Sequence, residues 1–121
     1  MHDPHDELVH GLAEACRTGD DVALCDLLNA DVIAVCDSGG RLPALPGLAH
    51  GAHDVARLAA VLLRGSGDTE LSVEAVNGRA GLALRRAGRA LAVVGVDGSG
   101  TEITTLWIVL NPDKLLRWHR D

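Results

Sequence analysis

The chain has 121 residues, 47% hydrophobic and 23% charged, with 11 basic against 17 acidic side chains and a net charge of −6. That length suits one domain spanning 1–121, and the charge excludes the basic footprint of a non-specific nucleic-acid binder or of a protein that docks on anionic lipid. With two Trp and neither Phe nor Tyr, there is no phenol for acid or oxyanion chemistry, and only Trp107 and Trp118 can stack on a base or sugar.

The opening MHDPHDEL has no basic region followed by an apolar stretch, and the longest apolar runs reach only about six residues. The chain therefore reads as cytoplasmic, with no secretory signal and no membrane span. His2, Asp3 and His5 could capture a metal adventitiously. Apolar side chains at Leu8, Val9, Leu12, Ala13 and Cys16 predict a helix over 5–17, capped by Asp3 or Asp6 and stopped by Gly19. Asp20 and Asp21 open a second short helix, with Val22, Leu24, Leu27 and Leu28 expected on its inner side. The β-branched run 31–36 predicts a strand, and 37–49, with three Gly and two Pro, a loop. Val55, Leu58, Ala59, Leu62 and Leu63 predict a helix over 51–64, ended by Gly65 and Gly67.

Four strands are predicted in the second half, over 70–76, 80–86, 90–97 and 101–110. Asn77-Gly78, Ala87-Gly88-Arg89 and Asp97-Gly98-Ser99-Gly100 are read as the turns between them; Asn-Gly and Asp-Gly supply the positive φ that tight hairpins need. The result is an antiparallel meander. Its final strand is apolar on both faces, with Leu106, Ile108 and Leu110 on one side and Trp107 and Val109 on the other. Helices can cover one face. A second copy of the chain is the economical cover for the other, with Trp107 as its anchor, so a homodimer is expected. Asn111-Pro112 ends the strand, and a short helix or tail follows. The order α-α-β-α-β-β-β-β is an α+β layout.

Cys16, Cys25 and Cys36 are odd in number and lack CxxC spacing, so they read as reduced thiols acting as small apolar groups. His50 and His53, with Asp54 or Asp37, could hold a metal, but no fourth ligand stands at a recognisable spacing, and no metal is expected. Arg85, Arg86 and Arg89 read as a solvated basic hairpin tip. There is no G-x-S-x-G, no G-x-G-x-x-G and no Walker pattern, so neither a serine nucleophile nor a cofactor is expected.

The element order resembles the SnoaL-like group of the nuclear transport factor 2-like superfamily. Sharper are DSGG (Asp37 to Gly40), HGAHDVARL (His50 to Leu58), VNG (Val76 to Gly78) and NPDKL (Asn111 to Leu115). In that order they resemble the C-terminal extension of SnoaL-bearing extracytoplasmic-function sigma factors. The departure is Ser38 where that extension has Gly. The resemblance implies a cone-shaped, cystatin-like roll: helices packed in a curved, mainly antiparallel sheet around a pocket. It further implies a non-enzymatic regulatory or ligand-binding domain. Its partners would be sigma-factor domains or RNA polymerase, met through Asn111, Pro112, Asp113, Lys114 and Leu115, and a small apolar ligand met by Asp37, Asn77 and His53. Nothing in the chain resembles the promoter-binding sigma domains, so it is either an excised domain or a free-standing relative.

The superfamily also holds ketosteroid isomerases, polyketide cyclases and epoxide hydrolases. By position Asp37 resembles the isomerases' general base, which makes a small cofactor-free enzyme the alternative. Without Tyr, an oxyanion donor would have to come from Asn77, Trp107, a histidine or a backbone amide. Each residue has a plainer reading: Asp37 as a turn residue satisfying loop amides, Asn77 as a hairpin turn, His53 as a solvated side chain, and NPDKL as a strand stop. A pocket without Phe or Tyr would be small, collapsed or loosely selective.

Overall fold

The computed structural model describes residues 3–40, 47–65 and 67–120. Helix α1 (Pro4–Thr18) starts where Asp3 accepts the His5 amide and Pro4 takes a first-turn position, and it stops at Gly19, whose φ is 70°. Helix α2 (Asp21–Leu27) is capped by Asp20, which accepts the Ala23 amide at 3.0 Å. Strand β1 (Leu28–Asp37) follows directly, so it begins earlier than the β-branched run suggests. The expected loop over 37–49 lies partly outside the described residues (41–46), and its end forms a short strand, β2 (Leu48–His50). Helix α3 (Ala52–Leu63) follows, then β3 (Thr69–Val76), β4 (Arg79–Arg86), β5 (Arg89–Ser99) and β6 (Glu102–Val109). The expected helix ends at Gly65 and Gly67 fall just beyond the C-cap at Arg64. Helix α4 (Pro112–Leu115) and a 3-10 turn (Leu116–Trp118) complete the described elements.

Among the described residues the sheet has six strands in the order β2-β1-β6-β5-β4-β3. From β3 to β6 it is the expected antiparallel meander. Asn77-Gly78 and Ala87-Gly88 both have positive φ at two successive residues, as a two-residue hairpin with the sheet's own twist requires. Asp97-Gly98 does not turn the chain. The register shifts there, and β5 continues to Ser99 before the turn at Gly100 and Thr101. An Asp-Gly pair offers the same freedom to a bulge as to a turn, and bulges bend a sheet. Strand β1 pairs parallel with β6 and antiparallel with β2.

The inner sheet face and the helices build the main core, centred on Leu12, Leu24, Leu63, Leu82, Ile103, Leu106 and Ile108. Val22, expected inside, is exposed. Alternation sends Ile33, Val35 and Asp37 of β1, and Trp107 and Val109 of β6, to the outer face. That face is divided. Leu115 and Trp118 cover Val76, Ala83, Ala90, Val93 and Val109 in a second small cluster. Here the chain's own C-terminal segment does part of what a second copy was expected to do. Ile33, Val35, Leu48 and Trp107 stay open, with Trp107 44% exposed and packed beside Gly95.

No helix among the described residues is long and apolar enough to cross a membrane.

Candidate functional site

DSGG and NPDKL, far apart in sequence, meet in space because β1 and β6 run parallel and end side by side. Asp37 lies opposite Val109 in the register, and its carbonyl accepts the Leu110 amide at 2.7 Å. One carboxylate oxygen of Asp37 accepts the Gly39 amide at 3.0 Å, and the other accepts Lys114 Nζ at 2.6 Å. Asn111 also bonds Asp37 through its side chain, while its Oδ1 caps α4 by accepting the Asp113 amide. Gly39, at φ 64°, passes so close that a Cβ there would stand 2.7 Å from the Asn111 side chain. The ammonium of Lys114, the Gly39 amide and Asn111 together hold the Asp37 carboxyl below its ordinary pKa of 3.8. This is a clasp: a carboxylate fixed in its ionised form on the outer sheet face.

As a proton acceptor, such a carboxylate is weak, because every partner that stabilises the anion lowers its basicity. Asn77 is exposed in its turn between β3 and β4, on the far side of the sheet from β1, so it does not meet Asp37. In the NPDKL segment Pro112, Asp113 and Lys114 are exposed, Asn111 is half-buried, and Leu115 is buried in the second cluster. His50 stands exposed on β2, 3.8 Å from Asp31. His53, on the exposed face of α3, lines a surface cavity of about 440 Å³ between α2 and α3. Among the described residues no three His, Cys, Asp or Glu gather as a metal site would require.

His5 has a different role from the expected adventitious ligand. It is buried, donates Nε2–H to the Ala80 carbonyl at 2.9 Å and accepts from Arg79 at Nδ1 at 3.0 Å. Arg79 in turn pairs with Asp97. His2 lies outside the described residues. The three cysteines are free, and burial pushes the Cys16 thiol up to about 11.

Sequence reasoning missed an ionic cluster. Arg85, expected in a solvated tip, is only 8% exposed. It forks onto Glu74 and donates Nε–H to the Trp118 carbonyl at 2.8 Å. Ser72 and Arg120 also donate to Glu74, at 2.5 and 2.8 Å. Pairing with Arg85 pulls the Glu74 carboxyl down to about 2 and raises Arg85 further. The Ala90 amide donates to His119 Nδ1 at 2.8 Å, and the Arg120 amide to the Gly88 carbonyl at 2.6 Å. The usable signal was the hairpin itself: counting back and forward from Asn77-Gly78 puts Ser72, Glu74, Ala83 and Arg85 on one face.

No protein-family model matches the chain, and neither does any curated protein. Among solved structures it is similar to the extracytoplasmic function sigma factor SigJ of Mycobacterium tuberculosis, at 27% identity and TM-score 0.67 over 93% of this chain. It spans 44% of that chain, less than half of it. An NTF2-like protein from Cytophaga hutchinsonii matches at 16% identity and TM-score 0.63, covering 96% of this chain and 97% of that one. A putative ketosteroid isomerase from Kribbella flavida matches at 17% and 0.59, covering 88% and 76%. The last two likenesses concern fold alone, and the fold is the nuclear transport factor 2-like cone, in keeping with the SnoaL-like resemblance.

Proposed function

We propose that this nuclear transport factor 2-like domain is a non-catalytic regulatory module that contacts the sigma regions of an extracytoplasmic-function sigma factor and so modulates transcription initiation. The observation that carries the reading is the likeness to SigJ at 27% identity across 93% of the chain. The exposed Pro112, Asp113 and Lys114 supply the contact surface, and Leu115 and the Asp37 clasp hold that surface rigid. The reading implies a cytoplasmic location. It also includes a homodimer through the open apolar stretch around Trp107, the half of the outer face that the C-terminal segment leaves bare.

The isomerase, cyclase or epoxide hydrolase alternative draws on fold likeness, and fold does not carry chemistry. Asp37 gives it no free base: its carboxylate is occupied by Lys114, Gly39 and Asn111.

A chimera tests the proposal. The stretch of SigJ that matches this chain is replaced by this chain, and promoter-specific transcription with purified polymerase is compared with SigJ lacking that stretch. The chimera is expected to differ from the truncated protein, and Lys114→Ala within the chimera to remove most of that difference. Equal transcription from a folded chimera and the truncated protein sinks the reading.

A further inference from the structure

A surface cavity lies between α2 and α3. Its apolar lining is made of the small groups Ala56, Ala60 and the half-buried Cys25, with the exposed Val61 at the rim. Two alanines one turn apart on α3, facing a helix of only seven residues, leave a hollow where larger side chains would have filled the groove. At about 440 Å³ it falls within the ordinary range for small-molecule sites.

The polar groups are distributed unevenly along this hollow. Arg64, at the far end, is 3.8 Å from Asp21 and packs over Gly19. Arg57, at the near end, has no hydrogen-bond or ion-pair partner among the described residues. His53 precedes Arg57 by one helical turn, so the two side chains meet on the same side of α3. In a chain of net charge −6, an unpaired guanidinium and an imidazole thus converge at one end of an apolar trough. From Ala56 to Arg64 the lining runs about 12 Å along the helix axis, the rise of eight residues. That length suits a short acyl chain with its head at Arg57.

We propose that this trough binds a medium-chain carboxylate: the carboxylate on Arg57 and His53, the hydrocarbon over Ala56, Ala60, Val61 and Cys25, and the Arg64–Asp21 pair closing the far end. Planar guanidinium matches carboxylate with two parallel N–H donors, and an imidazole N–H adds a third. The proposal goes beyond the contact with sigma regions and stands or falls apart from it.

The test titrates the purified chain with octanoate, with octanol as the uncharged comparator, while amide resonances are followed by NMR. Octanoate is expected to give saturating shifts centred on residues 53–64 and Cys25. Arg57→Gln, an exposed position that leaves the fold intact, is expected to weaken octanoate binding about tenfold and octanol binding hardly at all. Octanoate should also slow alkylation of Cys25 several-fold, with the half-buried Cys36 on β1 as the internal reference. Absence of saturable shifts at these amides up to about 10 mM overturns the proposal. So does equal binding of octanoate and octanol, an unchanged affinity in Arg57→Gln, or shifts confined to the Trp107 face. A failed chimera with intact octanoate binding leaves this site standing.

Discussion

The cluster around Glu74 makes a quantitative prediction. Glu74→Gln keeps the shape of the side chain but removes the charge that Arg85 and Arg120 share. The Glu74 side chain is 13% exposed and the Arg85 side chain 10%, so solvent screens the pair weakly. The Glu74 carboxyl falls from 4.5 to about 2 on folding. At about 1.4 kcal/mol for each pH unit, its ionisation contributes up to about 3 kcal/mol of stability at neutral pH. Gln retains some hydrogen bonding to Ser72 and Arg85, so the expected loss is about 2 kcal/mol, or a fall in Tm of roughly 5–10 °C for a domain of this size. The sign with pH follows from the direction of the shift. The folded-state value lies below the unfolded one, so this stabilisation is complete above about pH 5 and drains away as pH falls toward 2. Urea unfolding of wild type and Glu74→Gln across that range reads both quantities. The two proteins should differ most near neutrality and converge in acid. A difference below about 0.5 kcal/mol at pH 7, or one that stays constant down to about pH 2.5, would refute the reasoning.

Other outcomes follow from single positions. Ala87 occupies positive φ in its hairpin turn, where Asn is better accommodated; Ala87→Asn should raise stability by about 0.5–1 kcal/mol, and a fall in Tm would contradict the turn geometry. Carbon-detected NMR should find the Asp37 carboxyl titrating below 3.8 in the wild-type chain and higher in Lys114→Met; no change between them would mean that the clasp does not form in solution. Sedimentation at about 100 µM should show a dimer for the wild type and a monomer for Trp107→Glu, and a wild-type monomer would remove the second copy from the outer face.

Much of the architecture was legible because its signals are local. The helical spacing of Leu8, Leu12 and Cys16, the glycine stop at position 19 and the Asn77-Gly78 turn act within a few residues, and each places its element within a residue or two. What escaped was set at long range. Parallel pairing of β1 with β6 has no sequence signature, since neither strand announces its neighbour. The Asp97-Gly98 bulge uses the same residues as a turn, and only the partner strand decides between them. Arg85 was misread because charge suggests exposure; the covering C-terminal segment that buries it arrives from 33 residues away. For the site, DSGG and NPDKL were legible as motifs. Their union through Asp37 and Lys114 was not, because it depends on that same parallel pairing.

The place of β1 has a consequence for how the chain is made. Its antiparallel neighbour β2 is only three residues long, and its main partner β6 leaves the ribosome after all the other strands. Until then β1 carries an unpaired edge beside exposed Ile33 and Val35, and β5 carries another. Contacts that close late in synthesis across long sequence separations slow folding and make it all-or-none. The Asp37–Lys114 bond, 77 residues apart in sequence, can form only once that last gap in the sheet is filled. A nascent chain stalled before Glu102 would therefore present two adhesive strand edges at once, so for this domain synthesis and aggregation compete for the same gap.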